Sequence, residues 1–142
     1  MPVYVDTILG EMIRHEANNK MSVLGVFGNA ILVPKIPSQL SSLAIMQRWG
    51  PTPEEQEGTR FTFALEIRGP DLAPIRLPDQ TVEMPLGPRP LVNMVLQIQG
   101  FPIAQQGDYQ VVTYIDGQPR NVYEFYIGLP TAQQQGKLIG FT

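Results

Sequence analysis

The sharpest periodicity in the chain lies at Phe61-Thr62-Phe63-Ala64-Leu65-Glu66-Ile67-Arg68, where Phe61, Phe63, Leu65 and Ile67 alternate with small, polar or charged residues. A period of two puts those four on one face of a pleated strand, whereas helical spacing would scatter them around a cylinder. The segment is therefore predicted as a half-buried strand. Val92, Met94, Leu96 and Ile98 repeat the pattern against Asn93, Val95, Gln97 and Gln99. Further on, Tyr109 to Ile115 leads through Asp116-Gly117 into Val122 to Ile127. Asp-Gly between two β-rich runs signals a hairpin, because glycine tolerates the positive φ that the turn requires. The polar stretch Asp116 to Asn121 predicts a loop slightly longer than the two-residue minimum. Phe63, Leu65, Leu96, Ile98, Val111 and Phe125 are the expected core.

Two readings are open at the N-terminal end: Val3 to Glu16 as one long strand, or a helical turn at Glu11 to Glu16. The strand is preferred, because Val23, Leu24, Val26, Phe27, Ile31, Leu32 and Val33 form a run apolar on both faces. Such a run reads as a central sandwich strand with neighbours on each side. Gly25 and Gly28 within it mark a bulge or a close backbone approach. After the Pro34 to Pro37 turn, Leu43, Ile45, Gln47 and Trp49 start another strand. Thr52 to Gly58 is a polar acidic loop, and Gly69 to Asp79 and Pro85 to Pro90 are proline-rich connections around one short strand, Gln80 to Met84. About eight short strands in all point to an all-β fold, an antiparallel Greek-key-like β-sandwich. One domain is expected over residues 1–130. Residues 131–142 form a tail, polar at Gln133 to Gln135 and apolar at Leu138-Ile139, that is either mobile or docks as an extra strand.

Composition narrows the class of protein. A chain of 142 residues, 43% hydrophobic and 16% charged, can bury a core of its own. It has no cysteine, so disulfides, thiolate metal sites and thiol nucleophiles are excluded. Met1 to Asp6 shows no basic segment followed by an apolar stretch, so no signal peptide is read there, and no run is long enough for a transmembrane helix. A cytoplasmic location without membrane association is expected. The net charge is −3 with ten basic residues spread thinly, so no cluster displaces counterions from nucleic acid, and that partner is disfavoured.

Three segments together carry a family likeness: Asn19 to Phe27, Val33-Pro34-Lys35-Ile36-Pro37, and Gly107 to Val112 with Asp116-Gly117. Their order and spacing resemble an uncharacterised bacterial family of small β-sandwich domains of unknown function, with a Gly-Lys-Leu-Ser-type turn near the start and a Gly-x-Tyr strand near the end. The likeness spans roughly Asp6 to Leu129. This chain departs from it with Asn19 in place of the usual glycine and Gly28 where an acidic residue often follows the phenylalanine. The resemblance implies a fold and brings no catalytic residues to transfer. Physically, a tyrosine in the position of Tyr109 is either a plain core residue or a corner whose hydroxyl bonds nearby backbone.

Candidate chemistry is sparse. His15 is the single histidine, with Glu11 and Glu16 nearby, but on a strand Glu11 and His15 stand far apart and lack ligand spacing. It reads as a solvated residue near a turn. Glu54, Glu55 and Glu57 lack the alternating spacing of a calcium loop. Neither a phosphate-binding glycine loop nor a Gly-x-Ser-x-Gly elbow occurs. No catalytic, cofactor or metal residue is assigned. The leading expectation is a non-catalytic binding or adaptor domain that contacts a protein through loops or a sheet edge. Alternatives are a structural subunit of a homo-oligomeric or phage-like assembly and a carboxylate- or metal-dependent enzyme. Strict strand alternation would gather Asn18 to Lys20, Pro51 to Gly58, Pro85 to Pro90 and Asp116 to Arg120 at one end, and Pro34 to Gln39, Gly69 to Asp79 and Gly100 to Gly107 at the other. The candidate contact surface is the first end, with Trp49, Glu54, Glu55, Glu57, Arg89 and Arg120. Trp49 itself has two readings, an exposed anchor or a core residue at a strand end.

Overall fold

The computed structural model describes residues 2–18, 20–51, 59–84 and 91–131. The described residues form eleven strands and no helix: β1 (Val3–Gly10), β2 (Met12–His15), β3 (Met21–Leu24), β4 (Ala30–Leu32), β5 (Ser38–Gly50), β6 (Arg60–Gly69), β7 (Leu72–Arg76), β8 (Gln80–Glu83), β9 (Val92–Ile103), β10 (Gly107–Ile115) and β11 (Gln118–Gly128). Two sheets face each other in a sandwich, one ordered β1-β5-β9 and the other β4-β11-β10-β6-β7, while β2 and β3 pair separately as a hairpin. Every strand pair is antiparallel except β4 with β11.

The count exceeds the expected eight because several paths are broken. β7 falls within the Gly69 to Asp79 connection, and β7 and β8 occupy successive stretches of one edge of β6. The Leu77 N–H donates to the Leu65 carbonyl between them, at 2.9 Å. Pro74 and Pro78 are tolerated on this path because an edge strand can turn an absent N–H toward solvent. The Asp116-Gly117 hairpin is tighter than the sequence suggests. Gln118 already faces Ile115, and Asp116 and Gly117 have φ of 50° and 80°, which the tight two-residue turn requires. The surplus length is absorbed by a register shift after Thr113.

Alternation delivers the core as expected for Phe63, Leu65, Val111 and Phe125, all buried. Leu96 and Ile98 are half-buried, because β9 is an edge strand of its sheet. The apolar run Val23 to Val33, in contrast, is not a central strand. Ile31 and Val33 are buried, but Leu24 is 43% and Val26 62% exposed. The run divides between the β2–β3 hairpin, a crossing at Phe27 and the edge strand β4. The crossing closes one side of the sandwich. Phe27 N–H donates to the Leu9 carbonyl of one sheet (2.8 Å), and two residues on Tyr126 N–H of the other sheet donates to the Asn29 carbonyl (2.8 Å).

The hairpin lies on the outer face of the β1-β5-β9 sheet, where the Ile13 N–H reaches Gln97 Oε1 (3.3 Å). Gly10 makes this possible, since a Cβ there would overlap Val23 and approach the Leu24 carbonyl. Asn19, in the Asn18 to Lys20 turn expected among the loops at the strand ends, lies outside the described residues.

Candidate functional site

One pole of the sandwich collects Trp49, Phe61, Phe63, Met84, Val92, Met94 and Ile115 into a single apolar cluster, with Tyr4 and Val82 against it. The strand ends flanking residues 52–58 and 85–90 meet there with the Asp116-Gly117 turn, whose Asp116 N–H bonds the Thr62 carbonyl at 2.8 Å. The described strand ends beside those two connections thus share one end with that turn; residues 52–58 and 85–90 themselves lie outside the described residues. Trp49, however, is 1% exposed, with T-shaped contacts to Tyr4 (5.4 Å) and Phe63 (5.9 Å). Its indole is core, which corrects its assignment as a contact residue: β1 and β9 flank it and β6 covers its inner face. Arg120 is exposed on β11, at the register shift where Thr113 faces Asn121 and Tyr114 faces Pro119. Glu54, Glu55, Glu57 and Arg89 lie outside the described residues.

Below this pole a polar pair crosses the sandwich. Thr113 Oγ1 donates to Gln47 Oε1 at 2.7 Å, and Trp49 Nε1 donates to the same oxygen at 3.3 Å, all three residues buried. Gln47 Nε2 has no partner among the described residues. At the far pole the Tyr109 hydroxyl donates to the Gln105 carbonyl (2.7 Å), the corner arrangement. Burial raises its phenol pKa, opposed by that hydrogen bond. Its ring stacks on Phe125 (5.7 Å) and meets Phe101 edge-on (6.0 Å).

Charged groups on the outer faces are committed to one another. Arg48 forms a two-point ion pair with Asp6, Nε to Oδ1 at 2.8 Å, and this hydrogen bonding holds the Asp6 carboxyl below its usual range. Glu66 accepts from Arg68 (2.8 Å) and from the Tyr114 hydroxyl (2.9 Å), which lowers its pKa, while Arg76 sits 4.4 Å over the Tyr114 ring. His15 is exposed on β2 opposite Met21, and Glu16 pairs with Arg14 at 3.3 Å. Among the described residues no three metal-ligating side chains gather, and no helix is long and apolar enough to cross a membrane.

The feature that sequence reasoning missed lies where β1 stops. β1 covers β5 from Gly50 back to Ala44, opposite Gly10. At Glu11 the chain turns aside, its N–H donating to the Leu24 carbonyl (2.9 Å). From Ser38 to Leu43, β5 therefore pairs with β9 alone among the described strands. Beside this open edge is a cavity of about 440 Å³ between Glu11, the start of β5 and the segment Ile31 to Lys35. Phe27, Ile31, Val33 and Leu40 give it an apolar floor. Glu11 and Lys35 stand on the rim without ion pairs among the described residues. The Ser38 hydroxyl is buried there without a hydrogen-bond partner among them. An unpaired strand edge is a row of backbone donors and acceptors, and next to apolar pockets it can take up an extended segment. The sequence signal available was the polar stretch Ser38-Gln39-Leu40-Ser41-Ser42 just before a strongly alternating strand.

A search of curated proteins finds no match to the chain. Residues 7–128 match the model of DUF6941, a family of unknown function, and with nearly the whole sandwich covered the chain belongs to that family.

Proposed function

We propose that the domain is a non-catalytic protein-binding module that adds an extended segment as a strand to the open edge of β5. The observation that carries this reading is the edge Ser38 to Leu43, unpaired among the described residues, beside an apolar-floored cavity. Main-chain hydrogen bonds would supply affinity, and the pockets at Phe27, Ile31 and Leu40 would select alternate side chains. The acidic residues at 54, 55 and 57 are not required in this arrangement, which moves the contact surface from the Trp49 pole to the opposite one.

The test is a titration of isotopically labelled protein with a panel of synthetic extended peptides, followed by amide resonances. Binding peptides shift the amides of Ser38 to Leu43 and Val33 to Lys35, and Ser41→Lys weakens them at least about tenfold, because lysine on an edge blunts strand pairing. Shifts confined to the Asp116-Gly117 pole would refute the reading.

A further inference from the structure

We infer that the segment added to the β5 edge is the same edge of a second copy of this chain, paired antiparallel about a two-fold axis; the inference rests on the strand-addition reading above and names its partner. The first support is the edge itself. Among the described residues β5 begins at Ser38 and β1 ends opposite Ala44, so the stretch open to a partner is Ser38 to Leu43. Edges that stay single are commonly blunted by lysine or proline. Ser38-Gln39-Leu40-Ser41-Ser42-Leu43 carries neither, and no charge at all. Antiparallel pairing of this stretch with itself puts the axis beside Ser41, whose small side chain leaves room for two strands to approach. A contact of this kind needs only one surface that complements itself.

The second support is charge. Glu11 follows Gly10, the partner of Ala44, and marks one end of the edge; Lys35 precedes Ser38 in the chain and marks the other. Both line the cavity, and neither has an ion pair among the described residues. Antiparallel two-fold pairing brings opposite ends together, so Lys35 of each copy meets Glu11 of the other. Parallel pairing would bring like ends together and set lysine against lysine. The same two charges thus select the antiparallel arrangement and make the edge complementary to itself. Apolar surface flanks the Glu11 end. Met12 and Leu24 face each other on the β2–β3 hairpin, 47% and 43% exposed, and Val26, next to Phe27 of the cavity floor, is 62% exposed. The Pro34 to Pro37 turn of the second copy arrives at this end and covers part of that surface.

The experiment uses the full chain and reads its mass in solution by sedimentation over a range of concentrations. The wild type is expected to sediment as a dimer. Glu11→Lys and Lys35→Glu each set like charges against one another at both ends of the pairing, since a two-fold contact counts every substitution twice. Each is expected to weaken self-association at least about tenfold. An equimolar mixture of the two variants restores the dimer, because every contact across the axis then joins opposite charges; a variant that had merely failed to fold would not be rescued in this way. Hydrogen exchange at the outward-pointing amides of Ser38 to Leu43 is slower in the wild-type dimer than in either variant. A dimer indifferent to both substitutions overturns the inference, as do variants that stay apart when mixed and a wild type that is monomeric at every concentration. If extended peptides still shift the edge amides in any of those cases, the strand-addition reading stands without self-pairing; if none do, both fall together.

Discussion

Strand β5 passes through two environments. From Ala44 to Gly50 it is flanked by β1 and β9, and Ile45, Gln47 and Trp49 alternate onto an inner face with essentially no exposure. From Ser38 to Leu43 it keeps only β9 among the described strands, and Leu40 is merely half-buried, although Leu43 at its inner end is fully buried. The strand is continuous and its register with β9 never slips. What differs is where the neighbour ends. β1 stops at Gly10 because the chain turns aside to lay the β2–β3 hairpin across the sheet, and that local decision leaves an edge without β1 twenty-eight positions further along the sequence, at Ser38. Pairing on both sides makes structure; pairing on one side leaves an edge for a partner.

The comparison can be broken most directly by truncating one apolar side chain from each half. Ile45→Ala, in the doubly paired half, is expected to cost about 2–5 kcal/mol, the range for a buried aliphatic residue. Leu40→Ala, at the open edge, is expected to cost about 1 kcal/mol, since its side chain is only partly buried. Denaturant unfolding of the two variants measures both. Equal losses would mean that the edge half is as tightly held as the rest and offers no ready docking surface.

Gly69→Ala sharpens the same contrast at the far pole. A Cβ there would overlap the Tyr109 ring, so overpacking of about 1–3 kcal/mol is expected. Tyr109→Phe removes only the hydroxyl bond to the Gln105 carbonyl and should cost about 1 kcal/mol. A larger loss for Tyr109→Phe than for Gly69→Ala would show that the corner bond, not ring packing, organises this pole.

The Gln47–Thr113 pair tests what a buried polar layer contributes to the doubly paired half. Thr113→Val alone should destabilise by about 1 kcal/mol, because Gln47 then loses its shortest partner. The double variant Gln47→Leu with Thr113→Val removes the unsatisfied amide but leaves the buried Trp49 Nε1–H without its acceptor, so it should recover only part of that loss. A double variant less stable than either single one would contradict this.

The smallest effect is expected on the outer face, at Asp6. Hydrogen bonding to Arg48 holds its carboxyl below the ordinary range in the folded state. Its contribution to stability is therefore fully present above the unfolded pKa and is lost as pH falls through the lowered folded value. The stability gap between the wild type and Asp6→Asn should close on acidification and shrink with added salt, as for an exposed ion pair. A gap that widens toward low pH would reverse the assignment.

Sequence determined a good deal here by itself. Period-two alternation assigned β6, β9, β10 and β11 and named the residues that fill the core, because a strand's two faces are written directly in successive side chains. Asp116-Gly117 announced its hairpin through the backbone freedom of its residues. Tertiary structure decided the rest. Nothing in Val23 to Val33 distinguishes a central strand from a hairpin arm followed by an edge strand, since apolar letters do not say which neighbour covers them. Whether Trp49 was anchor or core depended on Tyr4 and Phe63, far away in sequence and brought to it by β1 and β6. The open edge of β5 is the extreme case. It is defined by the absence of a second neighbour among the described residues, and only the path of β1, turning away at Glu11, shows which strand is left without one.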